Sequence, residues 1–175
     1  MKRKTQQNDH ANRELLNAAL KGHATVVAKQ INDGADIDAK NKNRFTALML
    51  AAQNGHAECA RALIDAGADK NAKTDKEVTA LILAAANGHA KCVKALLKAQ
   101  ADKNAKTDKK VTALIFASEN GHIACVLALL KAQADKDAKT DKEATALMLA
   151  AQNGYIACVN ALLEAGADKE AKTDK

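Results

Sequence analysis

A fixed period of 33 residues governs this chain. Shifting the sequence by that interval superposes Thr46, Thr79, Thr112 and Thr145, and it does the same for Gly22, Gly55, Gly88, Gly121 and Gly154. Cys59, Cys92, Cys125 and Cys158 follow the same spacing. A sequence repeated in this way describes one supersecondary unit that packs on copies of itself, so 175 residues form an elongated array and not one or two globular domains.

The most regular unit, Thr79 to Val111, reads TALILAAANGHAKCVKALLKAQADKNAKTDKKV. Thr79 offers a side-chain oxygen to the free N–H groups of a helix start. Ala80 to Ala86 is dense in helix formers, and Asn87-Gly88 supplies a left-handed stop. A second helix is expected from about Ala90 to Ala99. Its Cys92, Val93, Leu96 and Leu97 share one stripe, and Lys91, Lys94 and Lys98 lie on the other side. Ala101 to Val111 has no helical period and reads as a projecting loop or hairpin finger. Helices this short are marginal alone, so stacked neighbours must supply the stability.

The same frame divides the chain into a flexible basic leader (1–11), an N-terminal capping unit (12–45), and units 46–78, 79–111, 112–144 and 145–175. In the capping unit Arg13 stands where Thr46 does and Asn17 where Leu50 does, which gives the end of the stack a polar outer surface. The last unit keeps the internal apolar set Leu149, Cys158, Val159, Leu162 and Leu163. It predicts an exposed apolar end face, suited to a longer parent chain or to weak end-to-end self-association of an otherwise monomeric protein.

These residues carry a family likeness. The Thr-x-Leu opening, the L-A-A-x-N-G-H helix–turn and the G-A-D-x-N-A loop at this period resemble the ankyrin repeat. The likeness runs from about Asn12 onward, over five units, and implies an all-α solenoid of stacked helix–turn–helix units with projecting fingers. The sequence departs from the family signature at several places. Ala47, Ala80, Ala113 and Ala146 replace its Pro, and Met49, Ile82, Ile115 and Met148 replace its His. Arg44, Glu77, Lys110 and Glu143 replace a finger Gly, and Gln100 and Gln133 replace a loop Gly. A non-Gly residue in a left-handed position costs on the order of 1 kcal/mol.

The resemblance also implies a non-catalytic protein-interaction scaffold whose partner lies on the concave side, against finger tips and first helices. Carried onto this sequence, the contact positions are Lys42, Asn43 and Phe45 with Gln53 and Asn54, then Asp75, Lys76 and Val78 with Ala86 and Asn87. The next sets are Asp108, Lys109 and Val111 with Glu119 and Asn120, and Asp141, Lys142 and Ala144 with Gln152 and Asn153. Phe45 is the aromatic anchor of this set. Phe116, at the place held by Leu50, is assigned to the core.

Catalysis has no foothold. His23, His56, His89 and His122 recur once per unit after Gly, with Tyr155 in the same place, and a residue that repeats with the fold serves the fold as a turn hydrogen-bonder. Asp75, Asp108 and Asp141 recur likewise. No phosphate- or dinucleotide-binding Gly pattern occurs, and no enzyme activity, cofactor or metal is expected. The four Cys sit one unit apart, roughly 8–10 Å by helix packing, beyond the reach of a disulfide. They read as reduced, buried hydrophobes in a cytoplasmic protein. No signal peptide or apolar run of membrane-spanning length is present. Lys2, Arg3 and Lys4 form a small nuclear-import or anionic-surface candidate, outweighed by the reading as a solvated terminus.

Net charge is +6, and it is uneven. Residues 79–111 hold seven Lys against two Asp, a local +5 between neighbours of −1. The excess is concentrated in Lys91, Lys94 and Lys98 on a helix and Lys103, Lys106, Lys109 and Lys110 in the following finger. Electrostatic binding of nucleic acid or an anionic surface there is the alternative to protein binding. The three aromatic residues, Phe45, Phe116 and Tyr155, and the lack of a continuous basic stripe argue against nucleic acid. A structural spacer within a larger chain is the third reading.

Overall fold

The computed structural model describes residues 2–172. Among these residues it holds ten helices in two parallel rows. The first helices of the units are α1 (Lys2–Lys21), α3 (Ala47–Gln53), α5 (Ala80–Ala86), α7 (Ala113–Glu119) and α9 (Ala146–Gln152). The second helices are α2 (Ala24–Asn32), α4 (Ala57–Asp65), α6 (Ala90–Lys98), α8 (Ile123–Lys131) and α10 (Ile156–Glu164). Each helix packs on its counterpart in the next unit and on its partner within the unit, so the core is a continuous sheet of apolar side chains between the rows. The all-α solenoid expected from the period is what the chain forms.

Local chemistry sets each boundary. Thr46, Thr79, Thr112 and Thr145 are extended N-caps, each side chain accepting a hydrogen bond from the backbone N–H three residues on. The helices end in positive-φ glycines such as Gly55 and Gly88. Leu48, Leu81 and Leu114 on the first helices, with Leu63, Leu96 and Leu129 on the second, are fully buried. Arg13 and Asn17 are exposed.

Three expectations need correction. Helix α1 begins at Lys2 and not near Asn12, because Lys, Arg and Gln are good helix formers and no Gly or Pro interrupts them before Gly22. Ala11, placed in the leader, is buried. On the end unit, Leu162 and Cys158 are fully buried, since their stripe faces inward toward α8 and α9. Leu163 is exposed as expected, Ile156 is exposed beside that set, and Leu149 and Val159 are half-buried. Phe116 is also half-buried, not core.

The four thiols are free and buried. Burial pushes Cys92 and Cys125 up to about 11, so they remain protonated at neutral pH. The hydroxyl of Ser118 on α7 is buried without a hydrogen-bond partner among the described residues. Its counterparts are Ala52, Ala85 and Ala151. Ser118→Ala is expected to raise the unfolding free energy by about 1 kcal/mol, because a buried hydroxyl left unpaired keeps its desolvation penalty. Urea denaturation measures it, and a loss of stability would show that the hydroxyl is hydrogen-bonded in solution.

Candidate functional site

The fingers are built from a repeated turn. Thr74, Thr107 and Thr140 are buried, and each accepts at Oγ1 the N–H of the residue four positions on. The backbone closes the same loop, as in Thr107 N–H to Val111 O at 3.0 Å. Arg44, Glu77, Lys110 and Glu143 take φ between 58° and 64° there. The buried threonine, or Asn41 in the first finger, and the closing backbone bond hold these residues in a left-handed position usually left to glycine. Gln100 and Gln133 adopt the same conformation at the ends of the second helices.

Neighbouring fingers are joined to one another. Asp108 N–H donates to Lys76 O (3.3 Å) and Asp141 N–H to Lys109 O (3.1 Å). Arg44 pairs with Asp75 across two fingers at 3.4 Å. Behind the tips, a side-chain ladder runs from unit to unit. Asn71 Oδ1 accepts from Asp102 N–H and Asn104 Oδ1 from Asp135 N–H, both at 2.8 Å, and Asn12 closes the ladder at the capping end through Asp36. The row of fingers is therefore a connected wall.

Opposite that wall, the exposed edges of the first helices complete a groove. Between units four and five it encloses about 380 Å³ lined by Lys109, Val111, Ile115, Phe116, Glu119, Thr140, Asp141, Lys142, Ala144 and Leu149. Six positions expected from the resemblance meet here: Lys109, Val111, Glu119, Asp141, Lys142 and Ala144. Phe116 was the miss. Its signal in the sequence was that it is the one aromatic residue on the first helices α3, α5, α7 and α9. The groove thus offers an apolar floor with an aromatic ring, rimmed by two lysines and two carboxylates.

The other candidate positions fare differently. Phe45 is half-buried and packs against the core, and its backbone N–H is held by Asn41 Oδ1 at 3.0 Å. Lys42 lies in a separate depression with Arg13 and Leu16, at the capping end. Asn43 is exposed at that finger. Asn54 and Asn87 donate their amide groups to Leu50 O and Leu83 O, and Asn120 and Asn153 reach the preceding unit at Ala86 O and Glu119 O. These asparagines close helix ends. Gln53 is half-buried with its carbonyl engaged by His89, Ala86 and Val78 are half-buried, and Asp75, Lys76, Asp108 and Gln152 are exposed.

Lys91, Lys98, Lys103 and Lys109 line four separate depressions. Lys94 is exposed on α6, and Lys106 and Lys110 are exposed on the finger. In the neighbouring fingers the lysine is neutralised, with Lys73 on Glu77 at 2.5 Å and Lys139 on Glu143 at 2.9 Å. The equivalent pair in unit three is Lys106 and Lys110, two like charges. Hydrogen bonding to Lys139 and the nearby charges hold the carboxyl of Glu143 below its usual range, Lys110 adding to the effect.

The recurring histidines link units to each other. His56, His89 and His122 donate from Nε2 to Leu20 O, Gln53 O and Ala86 O at 3.0–3.1 Å, each in the preceding unit. Their rings lie against Gly22, Gly55 and Gly88, and Tyr155 lies against Gly121 in the same way.

A family model for ankyrin repeats, three copies long, matches residues 15–107 and again 101–173. This chain belongs to the ankyrin-repeat family. No curated relative matches it. Ankyrin repeats are generally protein–protein interaction modules, and the groove around Phe116 is lined by fingers and first helices of this one. Among the described residues, no helix of this ankyrin array is long and apolar enough to cross a membrane.

Proposed function

We propose that this chain is a non-catalytic protein-interaction scaffold acting in the cytoplasm, and that it holds an extended or helical protein segment along its concave side. The observation that supports this reading is the groove between units four and five, in which a half-exposed Phe116 is flanked by Val111, Ala144 and Leu149 and rimmed by Lys109, Glu119, Asp141 and Lys142. Interface anchors are typically aromatic side chains in a depression, surrounded by polar groups that exclude water. Four free thiols at buried positions fit a reducing compartment.

The test is partner capture from a lysate of the source cell, with wild type and two variants immobilised at equal density. Phe116→Ala and Lys109→Glu are each expected to lower capture at least tenfold; Lys109→Glu, at an exposed position, leaves the melting temperature within about 2 °C, and Phe116→Ala, whose ring is half-buried against the core, lowers it by only a few degrees, about 1 kcal/mol. Undiminished capture by both variants overturns the groove assignment.

A further inference from the structure

The second helices α4, α6, α8 and α10 form the row opposite the groove, and two of their positions change character along the stack. The position that begins each helix runs Ala57, Ala90, Ile123, Ile156, and the position one turn on runs Arg61, Lys94, Leu127, Asn160. Leu127 is 53% exposed and Ile156 is 72% exposed. Ile123 and Leu127 are i, i+4 neighbours on one helix face, and Ile156 holds the place of Ile123 on α10, which packs against α8. These three residues therefore form a contiguous patch. At the Leu127 place the fold does not need an apolar residue, because exposed Arg61 and Lys94 serve there in helices of the same length, whereas the first position is buried as Ala57, half-buried as Ile123 and open at Ile156. Clustered apolar exposure of this kind marks an interaction surface, where singly scattered residues would not.

Beside the patch the charge is one-sided. Lys91, Lys94 and Lys98 are exposed on α6, Lys131 is exposed on α8, and neither helix contains Asp or Glu. We propose that this convex face binds an acidic amphipathic helix of a partner protein, its apolar side on Ile123, Leu127 and Ile156 and its carboxylates toward the lysines of α6. Amphipathic helices dock in this way through anchors at i, i+3, i+4 and i+7, and complementary charge steers and orients the encounter. The width of the strip selects a helix over a lipid surface. Glu58 and Asp65 on α4 and Glu164 on α10 bound the positive strip on both sides. It spans about two helices packed roughly 8–10 Å apart, room for a helix roughly 10–12 Å across. An extended anionic plane would meet those carboxylates. The site is independent of the concave groove.

The probe is a labelled 20-residue peptide with Leu at i, i+3, i+4 and i+7 on one face and Glu and Ala on the other, titrated into the full chain at low salt and followed by fluorescence anisotropy. Saturable binding is expected, weakened at least tenfold by Leu127→Glu and by Lys94→Glu, reduced by added salt and unchanged by Phe116→Ala. The melting temperature of Leu127→Glu reports that the fold is intact. The proposal is overturned if wild type shows no saturable binding or if both convex variants bind as wild type does. Retention on phosphatidylserine vesicles with none on the peptide would assign the face to a membrane and overturn it as well.

Discussion

Gly55→Ala is expected to lower the unfolding free energy by about 3 kcal/mol, whereas Gly154→Ala costs only about 1 kcal/mol. Both glycines occupy the same turn, with φ of 76° and 75°, so the backbone penalty for a side chain is common to the pair. The difference lies in what a new Cβ meets. At Gly55 it would stand 2.5 Å from Nδ1 and 2.8 Å from Cε1 of the His89 ring, and at Gly154 it meets nothing within 4 Å. The imidazole must therefore move, and its 3.0 Å hydrogen bond to Gln53 O cannot survive the displacement. That bond ties unit three to unit two, so its loss weakens an interface and not just a turn. Urea denaturation of both variants is the measurement. Equal losses at the two positions would show that the histidine contact contributes nothing beyond the conformational demand of the turn.

This contact illustrates what the sequence could and could not convey. Recurrence of Gly-His at 33-residue spacing marks the pair as part of the fold, and the expectation that these residues hydrogen-bond near the turn is met by His56, His89 and His122. The identity of the acceptor was not legible, because the bond spans 36 residues and so crosses from one unit to the previous one. A period shows which residues are equivalent. It does not show which neighbour each one touches. The cap threonines, by contrast, act within three residues and could be read directly.

The same distinction explains the groove. Phe116 occupies the place of Leu50, which is buried beside the capping unit, and equivalence suggested a core role. Leu83, Phe116 and Leu149 are all half-exposed, so that place changes its environment along the stack. Lysine spacing along the chain has a similar limit. Lys98 and Lys103 are close in sequence, but the helix end at Ala99 and the left-handed Gln100 turn the chain between them, and the two line different depressions. Local chemistry was readable from one unit, whereas surfaces assembled from two or three units required the coordinates.

Leu114→Ala carries the other large expected effect, a loss of about 3 kcal/mol, against about 1 kcal/mol for the equivalent change at Leu147. Leu114 is fully buried on α7, between α5 and α9. Leu147 holds the same place on α9 and is half-buried. Removing three carbons from the first leaves a cavity lined by residues on both sides, and removing them from the second leaves one that neighbours and solvent can partly fill. The central cavity also strikes the coupling between units. In a stack held by nearest-neighbour interfaces, weakening unit four should let the units on either side unfold at different urea concentrations, which broadens the transition and lowers its apparent slope. Leu147→Ala should leave the slope unchanged, because the stack loses contact at only one end. Equal costs at the two leucines would mean that Leu147 is as fully covered in solution as Leu114, and that would require a further surface seated on α9.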